Sequence, residues 1–219
     1  MIGDFATTIA TVVIMAMSSP SAMLKPETFT DKVIGEKQFS LENRYAVKSV
    51  NEVMKKNILL NLAYLNGTVT KRSEIDWTKV TSTFHFEKTL KAGETFAYHE
   101  IVRPEYKGSL AFTTKARFNA SDGFLSDGYL YGDGVCHLAS LINWAALDAG
   151  LTTVVPKDHR SVAHIPDVPD DFGVSIYMNA STGTGANNNL YITNTRDKPI
   201  TFHFDYNGTN LKVYVTELI

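Results

Sequence analysis

The chain has 219 residues, enough for one substantial domain with a small N-terminal extension. Hydrophobic residues make up 44% and charged residues 20%, a globular balance that excludes an intrinsically disordered chain. A formal charge of −2, with no basic block longer than two residues, argues against a nucleic-acid partner.

Residues 1–23 read as a targeting segment. The stretch FATTIATVVIMAM (5–17) runs 13 residues without a charge and leads into the small, turn-prone SSPSAM. That suits the core of an export signal and is too short to span a bilayer, which takes about 20 residues. Asp4 and the lack of Lys or Arg ahead of the run depart from the pattern, so a short anchor and a buried helix are the alternatives. The expected location is extracytoplasmic, secreted or in the cell envelope, with membrane association only through this segment.

Residues 24–39 read as an extended, polar lead-in, and 40–219 as the folded domain. A helix is expected next, because Val47, Val50, Met54, Ile58, Leu62 and Leu65 recur at spacings of 3, 4, 4, 4 and 3. Ser40 is its expected N-cap and Asn66-Gly67 its stop. The aromatic and β-branched stretches 82–90 and 94–102 flank Lys91-Ala92-Gly93 and are expected to pair as strands. Segment 103–131 reads as loop with short strands. A second helix is expected from Val135 to Ala149, closed by Gly150 and Leu151 as a glycine C-cap. Strands are expected at 152–155, 173–178 and 189–195. A final hairpin, 200–206 with 211–218, turns across Asn207-Gly208. The fold class is α+β: a single domain with an N-terminal helix, a cysteine-bearing helix and an antiparallel or mixed sheet built mainly from the C-terminal half.

Cys136 is the only cysteine, so no internal disulfide exists. It falls in the first turn of the second helix, after Gly132-Asp133-Gly134. Glycines there permit close approach and bare N–H groups, as an oxyanion site requires. A helix N-terminus favours an anion by about 0.3–1 kcal/mol, lowering a thiol by around one pKa unit at most. A thiolate at neutral pH therefore needs an imidazole partner. His137 is a sequence neighbour whose side chain diverges on a helix, so it suits substrate or oxyanion contact better than base. His159, in the turn PKDHRSVAHIP, is the expected base, and Asp171, opening the next strand, its orienter: the papain-like order of nucleophile, base and carboxylate. The competing reading is a cysteine that is simply packed. His203, between Phe202 and Phe204, is expected to face solvent, with His85 placed similarly. No HxxxH or HExxH spacing occurs, so neither a metal site nor a cofactor is expected.

The stretch GDGVCHLASLINWAALDAGL (132–151) resembles, without a gap, the signature of VanW-like domains, approximately GGGICQ(V)SSTLYNAALLAGL. Looser likenesses follow in the right order: KKNILLNLAYLNGTV, LKAGETFAYHEIVRP, DHRSVAHIP, DDFGVSIYM and LYITNTRDKPITFHF. The resemblance spans about residues 40–219. It implies a bacterial cell-envelope protein that handles peptidoglycan, associated with glycopeptide resistance, some members being L,D-transpeptidases with the motif cysteine as nucleophile. Carried onto this chain, it implies Cys136 as nucleophile, His159 as base and Asp171 as orienter. Gly134, Val135, His137, Ser140, His99 and Arg103 are the expected oxyanion or substrate contacts. Asp133, His137 and His99 depart from the family's glycine, glutamine and asparagine. A carboxylate beside the thiol raises its pKa.

The expected function is a secreted cysteine acyltransferase that cross-links peptidoglycan stem peptides through an acyl-enzyme. A non-catalytic wall-binding module and a papain-like peptidase or carboxypeptidase are the alternatives. Thiol reactivity separates them: an apparent pKa below about 7.5 is expected of the enzyme, and an inert thiol of the module.

Overall fold

A computed structural model describes residues 31–218 apart from 43, 129–131, 161–163 and 180. The targeting segment expected at 1–23 lies outside the described residues. No helix among those described is long and apolar enough to cross a membrane.

The described residues form one α+β domain with three α-helices and two four-stranded sheets. The helices are α1 (Lys48–Asn66), α2 (Trp77–Val80) and α3 (Val135–Asp148). The strands are β1 (Asp31–Ser40), β2 (Phe84–Leu90), β3 (Thr95–Ala97), β4 (Leu110–Phe112), β5 (Thr152–Val154), β6 (Tyr191–Thr193), β7 (Ile200–Tyr206) and β8 (Asn210–Leu218). The first sheet runs β1-β8-β7-β2, all antiparallel. The second runs β4-β3-β6-β5, with β3 and β4 parallel. The C-terminal hairpin β7–β8 fills the middle of the first sheet, and the earlier strands β1 and β2 are its edges.

The Asn207-Gly208 hairpin forms as expected, Asn207 Oδ1 accepting from the N–H groups of Thr209 and Asn210. Phe202, Phe204, Tyr206, Leu211, Val213 and Val215 turn inward and are buried, a period of two on each strand. α3 ends as the sequence predicts: Gly150 adopts φ 71°, and the N–H of Leu151 returns to the carbonyl of Ala146 at 3.0 Å. α1 stops at Gly67, also left-handed.

Several expectations need correction. Ser40 ends β1 rather than capping α1, which begins eight residues later at Lys48, with Val47 at the N-cap position and no side-chain cap. The apolar stripe is buried only from Ile58 onward, and Val47 is 56% exposed. Residues 57–65 are buried on every face, so this half of α1 is a core helix with two buried asparagines. The described part of the supposed lead-in, from Asp31 on, is strand β1, paired with β8 along its length. Gly35 explains why it was hidden: its bare Cα lies where a Cβ would come within 2.4 Å of the Ala149 backbone, at the end of α3.

β2 and β3 do not pair with each other. β2 joins β7 in the first sheet and β3 joins β6 in the second. Lys91-Ala92-Gly93 switches sheets, and Asn194 holds the crossover by donating to the carbonyls of Leu90 and Lys198 at 3.0 and 2.9 Å. The segment 173–178 is not a strand either. A single bridge links Val174 to Asp158.

Candidate active site

The first turn of α3 is positioned from below by α1. Asn57 Nδ2 donates to the carbonyls of Leu125 and Asp133 at 3.0 and 2.9 Å, and its Oδ1 accepts from the Leu125 N–H at 2.8 Å. Asn61 bonds the fully buried Tyr98, whose hydroxyl donates to the Val135 carbonyl at 3.0 Å. Each asparagine thus ties α1 to the chain entering α3; Asn57 is paired through both side-chain atoms, and Asn61 through its Nδ2 alone. Gly134 is required by this contact. It sits at φ +95°, and a Cβ would lie 2.7 Å from the Met54 carbonyl oxygen.

One face of α3 docks an extended segment. Asn143 Nδ2 donates to the Phe172 carbonyl at 3.0 Å, and Ser140 Oγ accepts from the Val174 N–H at 2.8 Å. Cys136 Sγ accepts from the Ile176 N–H at 3.4 Å and faces the Ile176 carbonyl at 3.8 Å. Positions 136, 140 and 143 lie one above another on a helix, and the backbone groups they hold come from alternate residues, 172 at the end of a 3-10 turn and 174 and 176 beyond it. Ser140 also donates to the Cys136 carbonyl at 2.7 Å. Expected as an oxyanion or substrate contact, it is instead a buried clamp.

Above this ladder opens a cleft of about 550 Å³. Cys136, His137, Asp133, His159, Tyr45 and Lys157 line it, with Arg117, Met54, Gly132 to Val135 and residues 175–178. His159 reaches the wall because residues 157–159 lie against 173–175: its N–H bonds the Gly173 carbonyl at 3.3 Å, and the Ser175 N–H bonds Lys157 at 3.0 Å. The return of His159 to the thiol's cleft is therefore what the fold delivers.

The thiol and His137 are both neutral at pH 7. Cys136 is partly exposed on the wall, yet surrounding protein desolvates it enough to push its thiol up to about 11. The Ile176 N–H opposes that, and Asp133 adds to it. His137 is buried and burial pulls it down to about 3, aided by the cation of Arg44 and by His159. Its Nε2 meets the Tyr45 hydroxyl at 3.2 Å, while Nδ1 makes no hydrogen bond. Burial, then the nearby Asp127, raises Asp133 to about 6. Arg44 fixes this corner. Its guanidinium is stacked 3.9 Å over the Phe39 ring and donates to the carbonyls of Ser40 and Pro166 at 3.0 and 2.5 Å.

Other expected site residues stand elsewhere. Asp171 has an 83% exposed side chain, pairs with Arg160 at 3.4 Å and does not line the cleft, so its placement does not serve as an orienter. His99 is fully buried: its Nε2 meets the Asn188 carbonyl at 3.1 Å, its Nδ1 accepts from the Ile101 N–H at 3.2 Å, and burial lowers it to about 4. It braces the 187–189 turn and offers no face to a substrate. Arg103 is tied to Asn187 at 2.9 Å, outside the cleft lining. Tyr45, a cleft residue, gave no signal in the sequence because its segment carried the period of a helix that starts later.

A family model described as "VanW like protein" matches residues 79–216, well over half of the chain and all of the cysteine motif. Comparisons with curated proteins and with solved structures gave no match. The match covers α3, β2 to β8 and the segment carrying His159, so this chain belongs to the VanW-like family.

Proposed function

We propose that this chain is an extracytoplasmic protein whose cleft receives a peptidoglycan stem peptide and whose Cys136 takes an acyl group from it. Membership of the VanW-like family supports the coarse part, a role associated with the cell wall and glycopeptide resistance. The finer part is carried by one observation: the only cysteine opens into a 550 Å³ cleft that two imidazoles also line.

The thiol does not meet the depressed value expected of the enzyme from the sequence, because burial raises it; the proposed chemistry therefore starts from a neutral thiol. With the thiol near 11 and His137 near 3, the resting site holds no thiolate–imidazolium pair between them. Cys136 Sγ attacks a stem-peptide carbonyl as its proton passes to His159, acting as general base in the transition state. The Val135 N–H is already taken by the Gly132 carbonyl at 3.1 Å, so the N–H groups of Cys136 and His137 serve the oxyanion. The C–N bond then breaks, His159 gives its proton to the leaving amine, and a thioester remains. An amine of a second stem attacks the thioester, the new C–N bond forms, the C–S bond breaks, and the proton returns to sulfur. Water in place of that amine makes the same site a carboxypeptidase.

A second reading, a non-catalytic wall-binding module, is favoured by the docking ladder. There Sγ holds Ile176 much as Ser140 and Asn143 hold Val174 and Phe172. Muropeptide conversion and tetrapeptide binding, measured on wild type and Cys136→Ala, distinguish the two. The enzyme predicts at least about a hundredfold loss of conversion in the variant with binding retained. Equal conversion by both proteins refutes the nucleophile. Binding by both, with conversion by neither, assigns the module.

A further inference from the structure

The outer face of the first sheet carries a block of four ionisable side chains. The antiparallel register sets His85 opposite Asp205 and Glu87 opposite His203, all four on one face. Glu87 Oε1 lies 3.2 Å from His85 Nε2 and 3.1 Å from His203 Nδ1. The remaining nitrogens face oxygens: His85 Nδ1 is 2.5 Å from Asp205 Oδ1, and His203 Nε2 is 2.8 Å from Thr216 Oγ1. His203 is 6% exposed at its side chain and stacks on Tyr214 at 2°. The expectation that it faces solvent is thus overturned: it points away from the Phe202 and Phe204 core but is roofed by its neighbours on the sheet.

We propose that His85 Nε2, Glu87 and His203 Nδ1 bind a zinc ion. Three observations carry this. His203 Nδ1 is buried, makes no hydrogen bond and is aimed at the Glu87 carboxylate; a buried imidazole nitrogen left so is costly unless a cation or proton sits there. The Asp205 carboxylate and the Thr216 hydroxyl hold the opposite nitrogens. This is the outer-shell arrangement that fixes the tautomer and orientation of a metal-ligating histidine. The spacing fits as well. One ligand atom from each residue lies within 4.8 Å of the others, and the two edges that meet at Glu87 Oε1 are 3.1 and 3.2 Å. A tetrahedral zinc with bonds of about 2.0–2.1 Å needs nitrogen and oxygen donors roughly 3.3–3.4 Å apart.

Two imidazoles and one carboxylate suit zinc and not magnesium or calcium, which prefer all-oxygen shells. His85 and Glu87 stand about half exposed, which leaves a fourth position open to water or to a donor from a ligand. None of the three lines the cleft, so the site is separate from the thiol chemistry. It has no short-spacing signature because its donors come from two strands more than a hundred residues apart in sequence.

The test is titration of the full chain with Zn²⁺ against a chromophoric chelator, with Mg²⁺ and Ca²⁺ as comparisons. One equivalent of zinc should bind, Mg²⁺ and Ca²⁺ should not compete, and zinc should raise the unfolding temperature. Glu87→Gln and His85→Ala alter exposed side chains and should fold; each should weaken zinc binding at least tenfold. Asp205→Asn should weaken it about 10–100-fold through His85. Cys136→Ala should bind zinc as wild type does, whatever becomes of its acyl transfer. No zinc binding at sub-millimolar metal, or wild-type affinity in both Glu87→Gln and His85→Ala, overturns the site.

Discussion

Histidines at two places in this molecule meet opposite surroundings. Around the cleft, His99 and His137 are covered by protein, hydrogen-bond to a carbonyl and a hydroxyl, and burial pulls them to about 4 and about 3. On the outer face of the first sheet, His85 stands half exposed between Asp205 and Glu87, whose carboxylates hold it above the usual range. His203 lies between these cases: burial lowers it while Glu87 opposes that. The difference shows that one residue type serves two chemistries according to where the carboxylates lie. At neutral pH His137 and His99 are uncharged, and the sheet face is equipped for a cation.

The largest expected difference between the two regions is steric. Gly134→Ala forces a Cβ against the Met54 carbonyl at a left-handed position and should cost at least about 3 kcal/mol in urea unfolding. His85→Ala, on an open sheet face, should cost less than about 0.5 kcal/mol.

The next effect is the pH dependence of stability. A histidine depressed in the folded state contributes stability that is intact above its unfolded pKa of about 6.5 and is lost as pH falls toward the folded value. Between pH 6.5 and 5, His99 and His137 should together lose about 3 kcal/mol. Asp133, raised to about 6, takes up a proton in the folded state first and so gains stability over the same interval. Partly exposed, it should offset about 1 kcal/mol. The net loss should be about 2 kcal/mol by urea unfolding at the two pH values, and His137→Gln should remove most of it. His85 has the opposite sign: its contribution is full below about pH 6.5 and fades as pH rises through its elevated folded value. An unfolding curve flat with acid would break the contrast.

Smaller effects sharpen it. Asp133→Asn removes a charge that raises the thiol, so alkylation of Cys136 at mildly alkaline pH should quicken about three- to tenfold. Asp171→Asn should change neither alkylation nor muropeptide conversion by more than about twofold, because its partner is an exposed arginine on the surface.

Much of this was legible in the sequence where a local rule acted alone. α3 and its glycine cap, the Asn207-Gly208 hairpin and the thiol's place in a first helical turn each follow from nearby residues. What escaped depended on distant partners. β1 was hidden because Gly35 interrupts its pattern for the sake of Ala149, and the switch of sheets at Lys91-Ala92-Gly93 is held by Asn194 a hundred residues on. The same holds at the cleft. The turn points to His159, and the chain pairing of 157–159 with 173–175 carries it to the cleft wall. Strand order places Asp171 at the opening of a strand, but it lies in a 3-10 turn at Asp170–Phe172, the segment 173–178 behind it is not a strand, and its side chain faces solvent. Alternation gives the face of the strand that carries His203 but not what covers that face.

Intact-protein mass spectrometry of the chain mixed with a synthetic stem tetrapeptide bears most directly on the role of Cys136. One acyl group should appear on Cys136 as a thioester, forming faster as pH rises from about 7 toward the thiol's elevated pKa, and Cys136→Ala should carry none. A peptide that binds the cleft yet leaves wild type without an adduct at any pH would contradict the nucleophile, and the sulfur would then be a packing partner of Ile176.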